Sequence, residues 1–314
     1  MKKTNIRKVL SLTAVAAGLA IWLTGVYAGS PSDRAGGPIT FSKDVASILQ
    51  KRCEECHRPG GVAPMSFVTY EEARPWARAI KERVVKREMP PFHALGTVGR
   101  YHDDPRLTDA EIATIREWVD GGAAKGDAKY LPPRRVWKDE WAFGEPDLTV
   151  SHPRPFQVSK SDKDLYVFFV FDYVFPEDIW ISSIQVRPGN ARLVHHANVH
   201  LVPPGFKAPP EGYIAGDFDP SARGTIMISG WVPGTNAVKL SEGTAVRIPK
   251  GMRLGIQIHY APTQQASNDQ TTVGVFFANG IVRKNLRVLF GDRKDLVIQP
   301  EQADATFVDR RTFA

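Results

Sequence analysis

The sequence predicts two domains of different class: an all-α domain followed by an all-β sandwich or jelly roll. Three observations predict it. The apolar period changes from 3.6 to 2 near Leu148. The helix-capping signals Ser42, Thr69 and Thr108 all fall before that point. After it, short β-rich runs alternate with turn clusters such as Pro188-Gly189-Asn190 and Pro203-Pro204-Gly205. A chain of 314 residues, 42% hydrophobic and 24% charged, is long enough for about two domains with real cores.

The elements follow in order. Ser42 is placed to cap a helix that carries Val45, Ile48 and Leu49. Thr69 caps a second, with Glu71 and Glu72 in its first turn and Trp76, Ile80 and Val84 at helical spacing. Pro75 is awkward inside it, so its regular part begins only there. Thr108 and Glu111 form a capping box for a third, carrying Ile112, Ile115, Trp118 and Val119 and closed by Gly121. Expected strands are Leu165–Phe171, Ile179–Val186, Leu193–Val202, Ala245–Ile248, Arg253–Tyr260 and Thr272–Phe277. The expected domains are residues 39–128 (helical) and 148–298 (β), joined by an extended connector over 129–147, with a polar tail at 299–314.

The N-terminus reads as a targeting segment. Lys2, Lys3, Arg7 and Lys8 precede an apolar run over residues 9–27, and Val26-Tyr27-Ala28 offers a signal-peptidase site. Residues 1–28 are therefore expected to be a signal peptide, with an uncleaved membrane anchor as the alternative; residues 29–38 form a Gly/Ser/Pro-rich lead-in. Either way the folded part lies outside the cytoplasm, in the periplasm or beyond. Without those four cations the formal charge of +7 falls to +3, and the aromatics do not interleave with basic clusters, which excludes a nucleic-acid partner.

Cys53-Glu54-Glu55-Cys56-His57 is the most specific motif. Thiols at this spacing each add to a haem vinyl group, and the following His57 becomes the proximal iron ligand of a covalent haem c. Cys53 and Cys56 are the only cysteines, so no four-thiolate zinc site can be completed; a redox dithiol is the competing reading. Three short helices around one covalent haem is the economy of a class I cytochrome c. Such a haem takes a second axial ligand, usually Met. Met89, stiffened by Pro90-Pro91 after the second helix, is that candidate; Met65 is expected at the haem edge, and a vacant or His93-ligated site is the alternative.

In the β half, His195-His196 lies in one strand-like run and His259 in another. Imidazoles suit copper, zinc, nickel and iron alike. Adjacent strand residues face opposite ways, so His195 and His196 share an ion only where the strand bulges. His196 and His200 stand about 13 Å apart along a strand, which leaves His259 as the better third ligand. The plainer reading is one core histidine and one surface histidine.

Several stretches carry a resemblance. Cys56-His57-Arg58-Pro59-Gly60, Ala63-Pro64-Met65-Ser66, Met89-Pro90-Pro91 and Trp118-Val119-Asp120-Gly121-Gly122-Ala123 resemble the cytochrome c module of certain bacterial multidomain proteins. There it is fused to a copper type II, ascorbate-dependent monooxygenase-like region similar to peptidylglycine α-hydroxylating monooxygenase. Arg187-Pro188-Gly189-Asn190, Val194-His195-His196, Pro233-Gly234-Thr235 and Gln257-Ile258-His259-Tyr260 are similar to that region, and the resemblance covers about residues 40–300. It implies an electron-transferring copper on His195, His196 and His259. The family's oxygen-activating copper needs a later His-x-His pair and a Met in a second β-domain, and no His follows His259. The sequence is therefore expected to be either a shortened protein or a fragment of a longer one, ending before that domain.

The expected function is electron transfer by an exported haem protein with one copper, exchanging electrons with a redox partner protein or small reductant. One alternative is the electron-supplying part of a copper monooxygenase lacking its catalytic domain. The other is a haem protein with a metal-free β-sandwich that binds a partner.

Overall fold

The computed structural model describes residues 37–92, 101, 104–137, 140–216, 218–235, 237–288, 297–302 and 305–308. The expected leader at 1–28 and His93 lie outside the described residues. Among the described residues no helix is long and apolar enough to cross a membrane.

The first helical turns start one residue pair earlier than Ser42 suggests. Thr40 is the cap, accepting from the Lys43 amide, and a wide turn over Phe41–Val45 leads into α1 (Ala46–Arg52). Ser42 is buried instead, and its hydroxyl donates to the Lys125 carbonyl at 2.9 Å. Thr69 and Glu72 form a capping box for α2 (Tyr70–Ala73). Pro75 sits in a 3-10 turn, and the helix resumes as α3 (Ala77–Val85). Thr108 and Glu111 form a second box for α4 (Asp109–Asp120), which stops at Gly121. Phe41, Leu49, Ile80, Ile115 and Trp118 meet in a shared core. The Trp118 indole N–H is satisfied by the Ala124 carbonyl at 3.0 Å, so the large ring is buried without an orphaned donor.

Twelve strands follow: β1 (Leu148–Ser151), β2 (Phe156–Val158), β3 (Leu165–Val174), β4 (Ile179–Arg187), β5 (Val194–Val202), β6 (Tyr213–Ala215), β7 (Ile226–Trp231), β8 (Thr244–Ile248), β9 (Arg253–Tyr260), β10 (Ser267–Asp269), β11 (Thr272–Phe277) and β12 (Lys284–Asn285). One sheet has the order β1-β11-β4-β8-β12, a second β6-β3-β9-β5-β7, and β10 pairs with β2 in a ribbon. Ile181, Val186, Val273 and Val275 of the first sheet share one core with Val167, Phe169, Val199, Ile256 and Ile258 of the second. β3 is apolar on successive residues because both its faces are covered. Phe169 and Phe171 point to the shared core, while Phe168 and Val170 join Val202 beneath Phe206 and Phe218.

The expected fold class is corrected by these observations. The described chain is mostly β sheet, its helices run only from four to twelve residues, and no free-standing all-α domain is present. The described residues from Ile39 onward form one compact unit. The physical reason lies in the stretch expected to be a loose connector. The Gln50 amide donates to the Pro133 carbonyl at 2.8 Å, and the Arg58 guanidinium lies 4.3 Å over Trp137. Trp141 fills the space a Cβ on Gly274 would need, with Arg187 4.6 Å above its ring. The segment is thus fastened to helices at one end and to sheet at the other.

His200, on β5, marks the acid sensitivity of this core. It is 3% exposed, its Nδ1 lies 3.0 Å from the Thr225 hydroxyl, and its Nε2 is buried with no partner. Burial pushes its pKa down to about 4, and the Asp219 charge opposes this only partly. An unfolded His titrates near 6.5, so the stabilisation is complete above about pH 6.5 and is lost as pH falls towards 4. Urea unfolding is expected to show about 3 kcal/mol more loss between pH 7 and 4 in wild type than in His200→Gln. His57 and His196, also lowered by burial, act in the same direction in both chains, so the difference isolates His200. Equal pH slopes would count against this origin.

Candidate metal centre

β9 lies between β3 and β5, with His259 opposite Tyr166 on one side and His196 on the other. His196 and His259 therefore share a face of the sheet as a cross-strand pair. The β5–β9 register shifts between Val194 and His196, leaving His195 as the extra residue of a bulge. That bulge turns His195 towards the other two, as the sequence requires if the adjacent pair is to serve one ion.

The three Nδ1 atoms converge. His195 to His196 is 3.2 Å, His195 to His259 is 3.1 Å, and His196 to His259 is 3.3 Å. The centre of such a triangle lies about 1.9 Å from each nitrogen, close to the roughly 2.0–2.1 Å of an imidazole–metal bond. The three histidines form the group able to hold a metal ion among the described residues. His259 is buried, His196 half-buried and His195 exposed, so the centre is reached from solvent at its His195 side.

Two contacts fix the ligand form of His259. Its Nε2 lies 2.8 Å from an Asp164 carboxylate oxygen, which accepts the ring N–H there and leaves the Nδ1 lone pair facing the other rings. Tyr166 stacks on the same ring at 4.2 Å and 11°. Burial, then the nearby His259 and His195, holds the pKa of His196 low and keeps it neutral. Asp164 was not legible as part of the site: it lies 95 residues from its partner in sequence. His200 stays outside the cluster, bonded to Thr225.

The thiol loop is built on the same principle. Phe67 N–H donates to the His57 carbonyl at 3.0 Å, and Ala63 N–H to that of Cys56 at 3.1 Å, which curls residues 53–67 back on themselves. A Cβ on Gly61 would stand 2.3 Å from the Cys56 carbonyl oxygen, so only glycine closes the curl. The loop brings the Met65 carbonyl to 3.3 Å from His57 Nδ1, and Phe67 stacks on the imidazole at 4.2 Å. A proton held at Nδ1 leaves Nε2 as the ligating nitrogen. Burial pushes Cys53 up to about 12 and also raises Cys56, helped there by Glu55. A redox dithiol depends on a stabilised thiolate, which this setting opposes. Met89 lies past the end of α3 and is 43% exposed, whereas Met65 packs against the helical core.

A turn of the sandwich lies beside the thiol loop. Val232–Thr235 is closed by Thr235 N–H to the Val232 carbonyl at 3.1 Å and by the Thr235 hydroxyl at 2.7 Å to the same oxygen. It sets Gly234, at φ +82°, so that a Cβ there would lie 3.6 Å from Cys56 Sγ. A cavity of about 660 Å³ flanks this contact, lined by Glu55, Arg58, Trp137, Trp141 and Trp231 among others.

No protein-family model and no curated protein matches this chain.

Proposed function

We propose that this chain is an exported c-type haem protein that transfers electrons and carries a mononuclear copper in its β-sandwich. One arrangement of protons, found at both sites, supports the reading. At His57 and at His259 one ring nitrogen is matched to a protein acceptor, Met65 carbonyl and Asp164 carboxylate respectively, which dedicates the other to a metal. Cys53 and Cys56 would hold the haem covalently, with His57 and Met89 as axial ligands; His195, His196 and His259 would hold copper. A bound haem supplies a one-electron iron couple. The chain's own residues orient the imidazoles and shield His57 with Phe67, and burial holds both thiols protonated.

Protein produced by export into a haem-attaching periplasm is expected to hold one iron and one copper per chain. Its reduced-minus-oxidised spectrum is expected to be that of a six-coordinate haem, lost in His57→Ala. Iron without copper would leave a haem protein with a metal-free sandwich, and a normal haem spectrum in His57→Ala would refute the axial assignment.

A further inference from the structure

The metal cluster and the thiol loop lie on different parts of the fold, and each could work alone. The turn between them argues otherwise. Gly234 is the residue of the sandwich set against Cys56 Sγ, the atom that becomes a thioether when haem is attached. Three residues before it, at the end of β7, Trp231 pairs with Ala197 of β5, the neighbour of His196. Trp231 also packs against the sandwich core and borders the cavity beside Cys56. Three residues of chain span at most about 10 Å, and paired strands stand about 5 Å apart. The chain therefore runs from beside the Cys56 sulfur through residues 234 to 231 and across one strand pair to Ala197, the sequence neighbour of His196.

We infer that the 231–235 turn is a built electron route between the haem attached at Cys56 and the metal held by His196. This inference rests on the haem and copper reading above. The step is one electron: Fe(II) is oxidised to Fe(III) as Cu(II) is reduced to Cu(I), or the reverse, with no proton moved and no bond made or broken. The residue types fit the task. Glycine at 234 suits the left-handed φ of +82°, and a Cβ there would stand in ordinary van der Waals contact with Cys56 Sγ at 3.6 Å. The three hydrogen bonds among Val232 and Thr235 hold the turn in place, including Val232 N–H to the Thr235 hydroxyl at 3.3 Å. Trp231 brings an extended aromatic ring where the route crosses from turn to sheet.

The test is flash reduction of the haem in the full, metal-loaded chain, following the haem band and the copper signal together. Wild type is expected to show a first-order exchange whose rate does not change with protein concentration. Gly234→Leu, which strains the left-handed turn beside Cys56, and Trp231→Leu, which removes the indole and keeps the backbone, are each expected to slow it several-fold. The haem spectrum and copper content of the variants serve as controls. An exchange that scales with protein concentration, or one left unchanged by both variants, would overturn the route while leaving the two-metal reading standing. A wild-type preparation lacking either metal overturns the reading, and the route with it.

Discussion

His196→Ala is expected to remove nearly all copper while leaving the haem spectrum intact. The three Nδ1 atoms form a nearly equilateral set, and loss of one leaves two nitrogens on a solvent-facing edge. Loss of an outer partner of a metal-bound histidine costs about 10–100-fold in affinity, and loss of a ligand itself costs more. Asp164→Ala is therefore expected to fall between wild type and His196→Ala, because its carboxylate acts only through His259 Nε2. Equilibrium dialysis against a copper buffer ranks the three proteins. Copper retained by His196→Ala at wild-type affinity would show that the cluster is not the binding site.

Asp269→Ala is expected to give the largest loss of stability of any single polar substitution in the sandwich, about 3–5 kcal/mol. The carboxylate is 3% exposed and accepts three hydrogen bonds. Tyr260 donates its hydroxyl at 2.9 Å, Thr271 its hydroxyl at 2.7 Å, and Asn190 its backbone N–H at 2.8 Å. Removing it strands a buried tyrosine hydroxyl and leaves the Asn190 side-chain amide to Ser267 at 3.1 Å as the remaining bond from the Pro188-Gly189-Asn190 turn to β10. Tyr260→Phe removes only one of those donors and is expected to cost about 1–2 kcal/mol. Urea unfolding measures both; equal losses in the two variants would mean that Asp269 acts through Tyr260 alone.

The long strands were legible because each buries a face or both faces, which leaves a period-2 or continuous apolar pattern. Leu165, Ile179, Arg253 and Thr272 begin both the expected and the observed runs. The strands at Phe156, Tyr213, Ser267 and Lys284 are only two or three residues long, too short for any period to show. At β7, Gly230 interrupts the pattern, and its close approach to the Asn198 side chain is visible only in three dimensions. The expectation of an all-α domain failed for a similar reason. Periodicity reports which face of an element is buried, but not that Trp137, Trp141 and Gly234 fasten one region to another. The three copper candidates could be named from strand alternation plus resemblance. The bulge that unites them, and Asp164 behind His259, leave no mark in local sequence.

The irregularity at His195 also has a genetic reading. It is one residue long, and pairing resumes at once from His196 opposite His259 down to Val202 opposite Arg253. Deleting the single codon for His195 would restore an unbroken ladder with Val194 and leave a two-histidine edge. Inserting it would supply a third nitrogen without disturbing any downstream partner. Gain or loss of the proposed metal centre therefore lies one codon away from an unbroken β5–β9 ladder.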